Sequence, residues 1–116
     1  MTEDQQEQER LVREKQEQEA LPYVWKQTLP EVDITIKVDK QIRSRDLKIQ
    51  IKKDFLSVVC KGQVIMEGKL SKSVKTDDCT WTLDSGEILI HLEKYNGMEW
   101  WAHVLENDPK MYFLNL

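Results

Sequence analysis

The chain has 116 residues, with 17 Lys and Arg against 21 Asp and Glu and a formal net charge of −4. That length suits one domain, large enough to fold without a metal or disulfide staple. No apolar run reaches the roughly 18–20 residues of a membrane span, and the acidic balance lacks the basic footprint of a nucleic-acid binder.

Residues 1–21 read as an acidic Gln/Glu-rich tail. Its first twenty positions hold seven acids and three bases, a surplus equal to the whole net charge, so the remaining 14 acids and 14 bases balance. Good helix formers abound, but only Leu11, Val12 and Ala20 interrupt the polarity. A helix without a buried face is marginal in water, and no a/d seam repeats. The tail is therefore expected to be disordered or transiently helical. Its polar start differs from a secretory signal. With Cys60 and Cys79 outside any CxxC pattern, two reduced cysteines and a cytoplasmic location are the simplest expectation.

From Tyr23 the period becomes two. Tyr23–Gln27 forms a first extended segment, with Trp25 inside it. Val32, Ile34, Ile36 and Val38 alternate with Asp33, Thr35, Lys37 and Asp39, as a strand with one buried face requires. Leu47, Ile49 and Ile51 repeat the pattern against Lys48, Gln50 and Lys52. The turn at Lys52–Asp54 leads into Phe55–Cys60, where Leu56, Val58 and Cys60 share a face. Lys61-Gly62-Gln63 predicts a hairpin into Val64–Leu70. Cys79–Leu83, with Trp81 and Leu83 inward, turns at Asp84-Ser85-Gly86 into Glu87–Lys94, with Ile88, Ile90 and Leu92 inward. About seven short strands and tight turns predict an all-β fold, a compact antiparallel β-sandwich over residues 22–110, with 111–116 as a short C-terminal tail.

Little in the sequence reads as catalysis. His91 and His103 have no metal-ligand spacing, and His91 reads as a hydrogen-bonded strand residue. Cys60 alternates with core residues and behaves as a small hydrophobe. Asp77 and Asp78 disfavour a thiolate at Cys79. The acidic loop residues miss the ligand spacing of a calcium loop, and the four glycines, Gly62, Gly68, Gly86 and Gly97, serve backbone geometry. No catalytic residue, metal or cofactor is expected.

The candidates for partner binding lie elsewhere. Arg43, Arg45, Lys48, Lys52 and Lys53 cluster over one loop and its strand, either as a solvated, protected edge or as a patch for an acidic partner. Phe55 and Val59 fall opposite Leu56 and Val58. They are covered by loops or chain ends, or form an apolar patch offered to a partner. The knot HLEKYNGMEWW, residues 91–101, reads as a packed corner or a recognition surface. Adjacent Trp100 and Trp101 point to opposite sides of an extended chain, so one is expected in the core, with Trp100 a candidate for binding.

Several motifs now stand together: Tyr23-x-Trp25-x-Gln27-Thr28-Leu29, Glu31-Val32-Asp33, Lys61-Gly62-Gln63, Gly68-x-Leu70, Trp81, His91-Leu92-Glu93-Lys94, Met98-Glu99-Trp100-Trp101 and Asp108-Pro109. In this combination the chain resembles the NudC (nuclear distribution C, or nuclear movement protein) family and its CS domain. The likeness makes Tyr23, Trp25, Gly62, Gly68, Trp81, Trp100 and Trp101 its fold-defining residues. It implies a non-enzymatic co-chaperone, with heat-shock protein 90 and client proteins as partners and a link to dynein-dependent nuclear migration. Family members often carry a longer N-terminal region for dimerisation and a C-terminal extension. Here the N-terminal tail is short and has no coiled-coil seam, the chain being either a minimal protein or a truncated product, and a monomer is the expectation. Two other functions fit the composition: a holdase that binds unfolded clients directly, and a lectin-like sandwich that stacks a ligand on Trp100 or Trp101.

Overall fold

A computed structural model describes residues 21–108. The expected tails at residues 1–21 and 111–116 lie outside the described residues, apart from Leu21, as do residues 109 and 110 of the expected domain. Seven strands run in chain order: β1 (Val24–Gln27), β2 (Glu31–Lys37), β3 (Leu47–Lys52), β4 (Phe55–Cys60), β5 (Gln63–Lys69), β6 (Thr80–Asp84) and β7 (Glu87–Glu93). They form a four-stranded sheet in the order β1-β2-β7-β6 and a three-stranded sheet in the order β3-β4-β5. Every neighbouring pair is antiparallel.

The alternation read from the sequence decides which side of each strand is buried. Val32, Ile34 and Ile36 of β2 face Leu92, Ile90 and Ile88 of β7 across the ladder, and all six are buried. Leu56 and Val58 bring the three-stranded sheet to the same core. Burying one such aliphatic side chain stabilises by about 1.5–3 kcal/mol, so this face fixes the register. A slip of one residue would turn every apolar group to solvent.

Two hairpins depend on left-handed backbone. Lys61 and Gly62 have φ of 48° and 80°, and Ser85 and Gly86 have φ of 46° and 84°. Paired positive φ values in two-residue loops match the twist of the flanking strands. Gly86 is also sterically tight, because a Cβ there would lie 3.0 Å from the Val38 carbonyl oxygen.

After β7 the chain leaves the four-stranded sheet and closes the sandwich. Lys94 N–H donates to the Pro30 carbonyl, and Tyr95 N–H to that of Ser73. Further on, Ser71 N–H donates to Val104 and Glu106 N–H to Lys69, beside a bridge between Leu70 and Leu105. This strap buries Trp101, Val104 and Leu105. The last two were not expected in the core, since a segment lacking period-two alternation carries no signal of its buried side. Trp81 and Leu83 are only half-buried, because β6 is a sheet edge.

Candidate functional site

The Gln27, Lys94 and Trp101 side chains explain why the motifs at both ends of the domain occur together. Lys94 is buried, with only 2% of its surface exposed. Its ammonium donates three hydrogen bonds, each of 2.8 Å, to Gln27 Oε1, the Thr28 carbonyl and the Glu99 carbonyl. A lysine has three donors, so this one is saturated. Gln27 meanwhile pairs with Trp101 as a strand would: its Nε2 donates to the Trp101 carbonyl at 2.8 Å and its Oε1 accepts from Trp101 N–H at 3.0 Å. The Trp100 ring covers the ammonium, 5.1 Å from its centroid. Burial pushes the Lys94 pKa down, and the Glu99 carboxylate opposes that shift. Trp101 is 1% exposed and Trp100 41% exposed, so the pair splits between core and surface as expected. This corner joins β1 to the strap. The hydroxyl of Tyr23, just before that strand, donates to the Asp108 carboxylate. Burial, then the Asp108 hydrogen bond and charge, hold the phenol proton well above the ordinary tyrosine range.

Four of the candidate binding residues converge on the outer face of the three-stranded sheet. Lys48 lies opposite Val59 and Lys52 opposite Phe55 in the β3–β4 register. The Lys52 ammonium sits 5.7 Å from the Phe55 centroid. Phe55 and Val59 are half-buried with Ser57 between them, and exposed Val64 pairs with Val59, so apolar groups on β4 and β5 lie beside the exposed lysines of β3, with Glu67 opposite Ser57. A register shift between Val58 and Val59 interrupts the β4–β5 ladder there.

The other four sit apart from that cluster. Arg43 and Arg45 belong to an exposed short 3-10 turn before β3, where Arg43 N–H donates to Asp46 at 3.0 Å. Asp46 in turn accepts from Lys61 N–H, which holds this turn at the hairpin end of the sheet. Lys53 lies at the other end, its ammonium 5.2 Å from the Tyr95 ring. Trp100 belongs to the lysine corner. One basic stretch in sequence thus becomes three separate positions, because the strand pleat and two turns send its side chains in different directions.

A second polar cluster occupies the outer face of the four-stranded sheet. His91 Nδ1 lies 2.8 Å from Asp33 Oδ1, and Nε2 lies 2.9 Å from Glu93 Oε1 and 3.3 Å from Glu31 Oε2. Hydrogen bonds to Glu93 and Asp33 raise the His91 pKa, against a smaller opposing effect of burial. Sequence reasoning found His91 but missed its carboxylates. Asp33 and Glu31 come from β2 and meet β7 only through the sheet register. A shallow hollow of about 360 Å³ adjoins the cluster, lined by Asp33, Thr35, Thr80, Thr82, Leu89 and His91. Cys79 is half-buried, and burial first, with Glu93 and Asp78 charges behind it, raises its thiol pKa; a hydrogen bond from Glu93 N–H pulls the other way. The aspartates expected to control this thiol are thus the lesser cause.

Two antiparallel sheets closed by a strap define a β-sandwich. Comparison with known proteins places that sandwich in a family. The CS domain family matches residues 21–94. The nuclear movement protein nudC of Dictyostelium discoideum is 40% identical over 92 residues, covering 77% of this chain and 54% of that protein. The nuclear migration protein nudC of Drosophila melanogaster is 42% identical over 93 residues, covering 77% of this chain and 28% of that protein. In three dimensions, the solution structure of the CS domain of human KIAA1068 protein superposes with a TM-score of 0.72 at 24% identity, covering 80% of this chain and 79% of that one. The chain belongs to the CS-domain family, in its NudC branch. It spans about half the length, or less, of these curated relatives.

Proposed function

We propose that this chain is a non-enzymatic co-chaperone and protein-interaction module that assists client proteins together with heat-shock protein 90 in the cytoplasm. A link to dynein-dependent nuclear migration belongs to the same reading, which draws on the nuclear movement and nuclear migration names of its relatives. The observation that carries the binding surface is the outer face of β3 and β4, where Lys48 and Lys52 flank the half-buried Val59 and Phe55. Apolar groups beside exposed lysines suit a partner segment that mixes acidic and apolar side chains. Elsewhere, His91 is hydrogen-bonded to Asp33 and Glu93, and burial raises the Cys79 thiol pKa. Among the described residues no helix is long and apolar enough to cross a membrane.

Co-precipitation of the tagged chain from cytosol tests this reading. Recovery of heat-shock protein 90 or a dynein-pathway protein is expected. Its loss in Lys48→Glu plus Lys52→Glu at low salt, where surface charge is least screened, would assign the contact to this face. Failure to recover either partner contradicts the co-chaperone reading.

A holdase acting alone is the second reading, favoured by the exposure of Val24, Val64, Leu89 and Met98. Light scattering of a heated client tests it, and undiminished aggregation at molar excess of this chain removes it. For the lectin-like reading, Trp101 is buried, and Trp100 is 41% exposed with Lys94 over its ring.

A further inference from the structure

We propose that Glu31, Glu93 and the Nε2 atom of His91 form a binding site for a zinc-class divalent cation on the outer face of the four-stranded sheet. The site is built from β2 and β7, the two inner strands of that sheet. Their register sets Glu31 directly opposite Glu93, and Asp33 directly opposite His91. Like charges in directly opposed positions weaken a ladder, and His91 Nε2 lies between this pair, where a cation can replace its proton.

The donor atoms already converge. One atom from each of Glu31, His91 and Glu93 lies within 4.8 Å of the others. The 3.3 Å between His91 Nε2 and Glu31 Oε2 matches the ligand–ligand edge of a tetrahedral zinc site, about 3.4 Å for metal–ligand distances of about 2.1 Å. The shorter 2.9 Å to Glu93 Oε1 needs only a small side-chain adjustment to reach the same edge.

Asp33 supplies what a ligating histidine needs behind it. Its Oδ1 lies 2.8 Å from His91 Nδ1, so in the metal-bound form the ring proton resides on Nδ1 and the Nε2 lone pair points at the two glutamates. This is the carboxylate–histidine–metal arrangement that orients the ring and raises its basicity. Asp33 is a positioning residue, outside the ligand set. One imidazole and two carboxylates suit zinc and its late first-row neighbours, whereas magnesium and calcium favour oxygen ligands alone. The His91 and Glu31 side chains are 30% and 38% exposed, which gives an ion direct entry. Three protein ligands leave a fourth position for water or a partner's side chain.

Calorimetric titration of the full chain with zinc chloride, after chelator treatment and with excess magnesium present, tests the site. One saturable equivalent is expected, and it should persist in Cys60→Ser plus Cys79→Ser, which removes the thiols as rival ligands. Glu31→Gln plus Glu93→Gln should weaken binding at least tenfold, and Asp33→Asn by about 10–100-fold. NMR should show zinc shifting the ring signals of His91 and leaving those of His103 in place. Urea unfolding followed by tryptophan fluorescence checks that each variant is folded. Two outcomes would overturn the assignment and leave an ion-pair cluster only. One is the absence of saturable binding. The other is binding that vanishes with the cysteines or is indifferent to the glutamine substitutions.

Discussion

Lys94→Met is the sharpest test of how this sandwich is held shut. Methionine fills a similar length with an apolar chain and removes the ammonium. Gln27 Oε1 keeps the Trp101 N–H as a donor, but the Thr28 and Glu99 carbonyls lose the donor that Lys94 gives them. An acceptor left unpaired costs up to about 1–3 kcal/mol, less where water reaches it, as beside exposed Thr28. Loss of the ammonium from the Trp100 ring adds about 0.5–2 kcal/mol. Relief of the burial cost of a charge returns part of this. Replacing a whole buried ion pair by apolar groups is often neutral, but here the acceptors are backbone and stay in place. The balance is a destabilisation of about 2–4 kcal/mol, a large share of the roughly 5–15 kcal/mol that holds a domain folded. Urea unfolding read by tryptophan fluorescence should show the midpoint falling by about 2 M, for a slope near 1.5 kcal/mol per M. Lys94→Arg should also be destabilised, because a planar fork replaces a compact ammonium ringed by three acceptors. Lys53→Met, at an exposed position, should shift stability by less than about 1 kcal/mol. Wild-type or higher stability in Lys94→Met would refute the reasoning.

Other outcomes follow from particular contacts. Gly86→Ala should cost about 1–3 kcal/mol, and Gly62→Ala less, since both need left-handed φ but only at Gly86 does a Cβ meet backbone; equal thermal shifts would contradict the steric part. Tyr23→Phe should cost about 1.5–3 kcal/mol, the range for a hydrogen bond to a charged group, and chemical denaturation measures it. Folded Tyr23 holds its proton above the ordinary value of 10.0, so its contribution is complete below that pH. The contribution is lost as pH rises further, because the unfolded phenol ionises first; an alkaline stability profile unchanged by Tyr23→Phe would contradict this. Cys79, with its raised thiol pKa, should react with a disulfide reagent at neutral pH more slowly than an unstructured peptide thiol, and equal rates would sink that expectation.

The strands were legible because alternation is a local signal. Val32, Ile34 and Ile36 announce the buried face of β2 without reference to any distant residue, and all three are buried. The hairpins at Gly62 and Gly86 were legible for the same reason, since few residues besides glycine tolerate their φ. Lys94 was legible only as part of a motif. A lysine after a strand usually reaches solvent, and the burial of this one depends on Gln27, 67 residues earlier. The Glu31–Asp33–His91–Glu93 cluster was hidden likewise, because only the β2–β7 register brings the four together. Lys53 joined the basic stretch in the one-dimensional reading, yet the fold pairs it with Tyr95. In each case the missing information was a contact between segments far apart in sequence.

The central claim is that this domain binds protein partners through the outer face of β3 and β4. Titration of the isotope-labelled chain with purified heat-shock protein 90, followed by NMR shift mapping, tests it most directly. The account predicts saturable changes centred on Lys48, Lys52, Phe55 and Val59, abolished by Lys48→Glu plus Lys52→Glu. Saturable changes confined to the four-stranded sheet or the Trp100 corner, or none at all, would contradict it.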